Sequence, residues 1–291
     1  MVDEERPLVE HVIEFIERLR ISLYTLVGSI VLAYILPSSV LCILKIDSPA
    51  AQPLVFYLMN SIRNYMLDFS KPYLTSLSRV LGVKNKLNIK LIASGMFDSF
   101  IASFHVSLII ALFTAIPIVL YETYRYIEPA LYPHEKRVIK KYLVASYALF
   151  GVGALYAYVF LLPLTFYIMT WLAVISGAEP VFTISSFFET VLVGIILTGI
   201  FFMFPLFFIG LVNIGLVNVD VLRKKWRYVV LAMAIITAII TPDPTPITMI
   251  LLFFPFIVLY FMTIIIAEKV QASRSAIRNH SSKAISTADE S

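Results

Sequence analysis

The sequence predicts an all-α polytopic membrane protein with six transmembrane helices. Both termini are expected on the cytoplasmic side, with a long first external loop carrying amphipathic helices. Three observations carry that reading. The 291 residues are 59% hydrophobic and only 14% charged, whereas a soluble domain carries about a quarter charged residues. Apolar runs of spanning length recur along the chain, a span needing roughly 20 residues to cross about 30 Å. Lys and Arg collect in alternate connections, the asymmetry that orients membrane helices. The same composition excludes other classes. One cysteine allows neither an internal disulfide nor a Cys-rich metal site, and His11, His105, His134 and His280 form no H-E-x-x-H spacing. No metal and no other cofactor is expected. The net charge of +4 is a matter of loop placement, and no nucleic-acid partner is expected.

Residues 1–20 read as a cytoplasmic amphipathic helix lying against the membrane surface. Leu8, Val9, Val12, Ile13, Ile16 and Leu19 make an apolar stripe, while Glu10, Glu14 and Glu17 line another face. The acid-rich start and the absence of a small-x-small site speak against a cleaved signal peptide, so mature and full-length chains are expected to coincide. Residues 21–267 form the membrane domain, with spans at 21–44, 99–121, 142–178, 190–219, 228–241 and 247–267. The third run, 37 residues, is too short for two spans and a turn. It reads as one long helix projecting beyond the bilayer, kinked at Pro163. The fifth, 14 residues, reaches only about 21 Å against a core of roughly 30 Å. Two readings stand: a short hairpin buried against the bundle or thinning the bilayer, or a boundary several residues further out. Thr241-Pro-Asp-Pro-Thr-Pro246 separates the last two spans, since three prolines stop any helix. Residues 268–291 form a polar cytoplasmic tail.

Loop charge tests the count. Arg125, Lys136, Arg137, Lys140 and Lys141 follow the second span, and Arg223, Lys224, Lys225 and Arg227 follow the fourth. Lys269, Arg274, Arg278 and Lys283 lie in the tail, while residues 177–186 and 241–246 hold no Lys or Arg. Six spans satisfy that parity; five or seven do not. The loop 45–97 carries bases too, but long loops escape the rule. Within it Leu54, Leu58, Ile62, Tyr65 and Phe69 recur at helical spacing. They predict an amphipathic helix over the external face, either a packing cap or a ligand site.

Acids stand where the charge rule predicts bases. Besides Glu14, the segment Tyr126-Ile-Glu-Pro-Ala-Leu-Tyr-Pro-His-Glu-Lys-Arg137 sets Glu128 and Glu135 among aromatic side chains. The structural reading pairs Glu14 with Arg18 at i, i+4, worth a few tenths of a kcal/mol, and Glu135 with Lys136 or Arg137. The functional reading is a site for a cationic peptide, because guanidinium binds carboxylate bidentately. Within the membrane His105 and Glu189 are the remaining ionisable candidates. His105 reads equally as a hydrogen-bonded packing residue, and Glu189 lies close to the external interface.

Several blocks stand in a telling order: His11-Val-Ile-Glu14-x-x-x-Arg18-Leu19, Pro117-Ile-Val-Leu-Tyr121 through Ile127-x-Pro-Ala-Leu-Tyr-x-x-Glu135-x-Arg137, Phe150-x-x-Gly-x-x-x-Ala-Tyr158-x-x-x-x-Pro163, Leu222-Arg-Lys-Lys225, and Ile240-Thr-Pro-Asp243. Together they resemble, over nearly the whole chain, TatC, the core receptor subunit of the twin-arginine protein translocase. The resemblance implies a multi-pass protein of the cytoplasmic membrane that recognises signal peptides bearing consecutive arginines. With TatA-type and in some cases TatB-type single-span partners, it would move folded proteins across the lipid bilayer, driven by the proton-motive force, as a homo-oligomer without catalysis of its own. It implies that Glu14 and Glu135 contact the arginines, that Tyr126 and Leu131 take part in recognition, and that His11, Arg18, Pro129 and Arg137 support the motif. Pro49 or Pro53 matches the family's external-loop proline. Three positions depart from the pattern. Ile16 replaces an arginine, Met203 in Phe202-Met-Phe-Pro205 replaces a polar residue of the fourth span, and Asp243 falls one place early.

Two other classes fit less well. A secondary transporter of a small solute favours internal repeats and midplane charges, whereas this sequence shows no convincing repeat and few midplane charges. An intramembrane enzyme needs G-x-S-x-G, paired acids or a zinc motif, and none is present, so no enzymatic activity is expected.

Overall fold

A computed structural model describes residues 8–36, 53–80, 89–130, 133–214, 219–241 and 245–289. Helix α1, Leu8–Ile35, already differs from expectation. The amphipathic segment and the first span are one continuous helix, because no glycine or proline interrupts the period near residue 20. It ends well before residue 44: Pro37 disfavours helical backbone at the preceding residue. Helix α2, Leu54–Met66, and helix α3, Pro72–Val80, are the helices described in the first long loop. Leu54 N donates to Leu36 O at 2.9 Å, tying the start of α2 to the end of α1. The buried face of α2 is Val55, Met59, Ile62 and Met66, one residue round from the expected stripe; Leu54 and Leu58 are only half-buried.

Helix α4, Asp98–Ile127, packs antiparallel along α1 through three polar rungs. Tyr34 Oη and Ser103 Oγ lie 2.7 Å apart, Thr114 Oγ1 donates to Ser29 Oγ at 2.8 Å, and Arg18 Nη1 meets Glu122 Oε2 at 3.4 Å. Helix α5, Pro133–Tyr156, runs through a π segment, Ala157–Leu161, into helix α6, Leu162–Ile175. The 37-residue apolar stretch Ile139–Ile175 is therefore one helix, as expected. The irregularity at Pro163 takes the form of a π-bulge, a recognised cause of helix distortion.

The fourth apolar run is two helices. Helix α7, Ile184–Phe202, stops at Met203, and helix α8 covers Phe204–Ile214. Pro205 has no amide to continue α7 and fits the first turn of α8. Helix α9, Val219–Lys224, helix α10, Trp226–Ile240, and helix α11, Pro246–Asp289, complete the chain. Five described stretches are long and apolar enough to cross a membrane: Ile16–Ile35, Asp98–Tyr126, Ile139–Ile175, Ile184–Gly210 and Pro246–Glu268. Helix α10, with 15 residues, spans about 22 Å, so the fifth apolar run is short in the structure as well. Helix α11 continues to Asp289, past the point where its sequence turns polar.

The two ends of the bundle differ. One end carries Arg125, Lys136, Lys140, Arg223 and Lys224 and is called the basic end. The opposite end carries α2, α3 and an element the all-α expectation missed. Strand β1, Lys90–Ile92, pairs in parallel with strand β2, Val181–Thr183, and Lys90 Nζ lies 3.6 Å from Glu179 Oε2. Each strand has only three residues, too few for a period-two pattern to stand out.

Inside, α4 lies between α1 and α7, α7 packs on α5, and α11 packs on α8 and α10. Beyond the prolines that open helices, three interrupt continuous helical stretches: Pro117 in α4, Pro163 at the passage from the π segment into α6, and Pro255 in α11. A proline withdraws the amide that would reach the carbonyl four residues earlier, and an unpaired carbonyl in lipid costs several kcal/mol. Each of the three carbonyls accepts a tyrosine hydroxyl from another element. Tyr147 donates to Phe113 O at 3.2 Å, Tyr73 to Val159 O at 2.8 Å, and Tyr156 to Leu251 O at 2.6 Å. A fourth, Tyr260, donates at 2.9 Å to Leu222 O in the last turn of α9. Tyr73 stands on α3, outside the spans, and burial pushes its phenol up to about 12. Its hydroxyl therefore remains a donor throughout the physiological range.

Candidate functional site

The antiparallel pairing of α1 and α4 brings two distant motifs to the basic end. The backbone of α1 places residues 11, 14 and 18 along its first turns. The end of α4 carries Glu122, Tyr124 and Tyr126, and a single 3-10 turn, Glu128–Ala130, follows it. Helix α5 then begins at Pro133. Proline at the first helical position suits its fixed backbone angle. Residue 135 is therefore in the first turn, where the helix dipole favours an acid.

Arg18 is bound to Glu122, a residue that in the sequence only marked the edge of a span. Glu122 is 8% exposed, and the pair joins positions 104 residues apart. Glu128 Oε1 accepts from Tyr124 Oη at 3.1 Å and lies 3.6 Å from Lys136 Nζ. Lys136, offered in the sequence as a partner for Glu135, is thus found on Glu128. Lys140 Nζ lies 5.2 Å above the Tyr124 ring, within cation–π range. Beside this cluster, Pro117, Leu120, Tyr121, Leu143, Val144 and Tyr147 line an apolar groove of about 370 Å³ between α4 and α5.

The expected site residues divide as follows. Tyr126 is half-buried at the end of α4, and Pro129 is exposed in the 3-10 turn. Residues His11, Glu14, Glu135 and Arg137 are placed by backbone on α1 and α5, their side chains lying outside the described set, as does Leu131 altogether. His105 is half-buried on α4, and its Nδ1 has no hydrogen-bond partner, so that atom does not meet the packing expectation. Glu189 is exposed in the second turn of α7. Ile16, where the motif usually has arginine, is exposed on α1. Pro53 precedes α2 and its carbonyl accepts from Phe56 and Tyr57; Pro49 and Asp243 lie outside the described residues. Among the described residues no group of three or more His, Cys, Asp or Glu is arranged to hold a metal ion. Glu122, Tyr124 and Lys140 were not singled out as site residues in the sequence.

The profile of the family described as Sec-independent protein translocase protein (TatC) matches residues 10–255. The chain belongs to the TatC family. It is 28% identical over 281 residues to the TatC of Haemophilus influenzae, covering 96% of each chain. It is 27% identical over 197 residues to that of Aquifex aeolicus, covering 67% of this chain and 81% of that protein. Among solved structures, the crystal structure of the twin arginine translocase receptor TatC superimposes with a TM-score of 0.66 at 24% identity, covering 90% of this chain and 99% of the other. The same receptor crystallised in DDM gives 0.65 at 26% identity, covering 88% and 99%. As a TatC-family member with several spanning-length apolar helices, the chain is a multi-pass membrane protein of protein transport, acting within the Tat translocase.

Proposed function

We propose that this chain is the receptor for twin-arginine signal peptides in the cytoplasmic membrane. With TatA-type partners, and a TatB-type one where present, it passes folded proteins outward on the proton-motive force. It does so as a homo-oligomer and without catalysis of its own. The chain crosses the bilayer six times with both ends in the cytoplasm, α10 being the short fifth crossing, which makes the basic end cytoplasmic. One observation carries the site: α1 and α4 pair so that the segments bearing Glu14 and Tyr126–Arg137 share one end of the bundle. On this reading the carboxylates of Glu14 and Glu135 take the two guanidiniums, Tyr126 and Leu131 flank them, and His11, Pro129 and Arg137 hold the loop.

Each charged hydrogen bond of this kind contributes about 1.5–3 kcal/mol, so each acid accounts for roughly a ten- to hundredfold change in affinity. Glu14→Ala and Glu135→Ala are each expected to weaken a fluorescent twin-arginine peptide to that extent. The double variant should lose specific binding and photo-crosslinking altogether, with its melting temperature in detergent unchanged. Wild-type affinity in the double variant at physiological salt would overturn the assignment.

A further inference from the structure

We propose that Glu122 is a positioning residue for the signal-peptide site, its ion pair with Arg18 fixing where Glu14 stands relative to Tyr126. The proposal rests on the receptor reading above. The geometry is that of an antiparallel ladder. The rungs Tyr34–Ser103, Ser29–Thr114 and Arg18–Glu122 step in opposite directions along α1 and α4. Residue 14 precedes Arg18 by four and residue 126 follows Glu122 by four. Because the helices run oppositely, both lie one turn, about 5.4 Å, further toward the cytoplasm, on the faces that carry the pair. Residues 14 and 126 are thus the next rung outward. Of the three rungs, the ion pair beneath it is the one built from charges.

The pair also differs from the other rungs in what its loss does. Its side chains are 17% and 11% exposed, so removing the acid takes an α4 carboxylate away from a largely desolvated guanidinium. The cytoplasmic ends of α1 and α4 then separate or re-register locally. The hydroxyl rungs and the apolar seam below keep the two helices paired. The expected defect is therefore in the relative placement of the ligand-binding turns rather than in the fold.

The test uses the full chain in detergent with Cys42→Ser, and spin labels at the exposed positions 17 and 125. In the wild type the label-to-label distance is narrowly distributed. Glu122→Ala broadens it and weakens a twin-arginine peptide at least tenfold, with melting within a few degrees of wild type. Glu122→Gln, nearly isosteric but uncharged, gives a smaller loss of both. The charge swap Arg18→Glu/Glu122→Arg narrows the distance again and is read by distance alone, because Arg18 belongs to the binding motif. An unchanged distance in Glu122→Ala overturns the positioning role whatever the binding does. A swap that leaves the distance as broad as in Glu122→Ala overturns it too. If the distances behave as stated and the wild type itself fails to bind the peptide, it is the receptor reading that falls.

Discussion

Gly153→Val is expected to cost at least about 3 kcal/mol, the upper range for overpacking a close-packed interior. The reason is a reciprocal seam between α5 and α7. A Cβ on Gly153 would lie 2.7 Å from Cβ and Cγ of Phe202 and 2.9 Å from the carbonyl oxygen of Thr198. A Cβ on Gly199 would lie 2.5 Å from Cε2 of Phe150. Each helix thus offers a glycine as the seat for the other's phenylalanine, three residues from its own. Phe150 and Phe202 are both buried there. A ring can tilt away from a single methyl, but the Thr198 carbonyl is backbone and cannot yield without moving α7. Small residues that let helices approach closely are the main packing device in membranes, where no hydrophobic force drives association. Gly151 supplies the control, since nothing lies within 4 Å of its added Cβ. Thermal unfolding in detergent should show Gly151→Ala at or slightly above wild type, Gly153→Ala below it, and Gly153→Val far below. If Gly153→Val melted with wild type, α5 and α7 would not meet in this way.

That glycine illustrates how unevenly the molecule can be read from its sequence. It stood in a recognisable motif, Phe150-x-x-Gly153, but its role depends on Phe202, which only the packing of α5 on α7 reveals. The long apolar runs behind Asp98–Tyr126 and Ile139–Ile175 were legible because a bilayer imposes a length, and length survives without tertiary information. The ends of α1 were not, because a helix continues through residue 20 unless something local stops it. The face of α2 was misread by one position: several apolar residues surround that helix, and only docking on the bundle selects Val55, Met59, Ile62 and Met66. At the site, Glu14, Tyr126 and Glu135 could be named from motifs. Glu122 could not, since its partner on α1 lies 104 residues away and the acid looked like the edge of a span. The break at Met203 had a local signal in Pro205, two residues on.

The tyrosine–carbonyl pairs make a prediction that separates hydrogen bonding from packing. Tyr156→Phe is expected to cost about 1–2 kcal/mol, the upper range for interhelical hydrogen bonds in membranes. Leu251 O, which Tyr156 reaches at 2.6 Å, lacks the amide that Pro255 cannot provide. In a Pro255→Ala background an amide is again available four residues on, so Leu251 O regains an intrahelical donor. There Tyr156→Phe should cost close to nothing. The double-mutant cycle therefore carries a coupling of roughly 1 kcal/mol, whatever Pro255→Ala does alone to the shape of α11. The same cycle on Tyr73 and Pro163 should couple with the same sign, since Val159 O stands in the same relation to Pro163. Denaturant or thermal unfolding of the four variants in one detergent measures each cycle. A Tyr156→Phe loss that persists undiminished in the Pro255→Ala background would show that the ring, and not its hydroxyl, holds α11 to the edge of the π segment. Full coupling would mean that the bundle tolerates three internal prolines because tyrosines on neighbouring elements complete the helices those prolines interrupt.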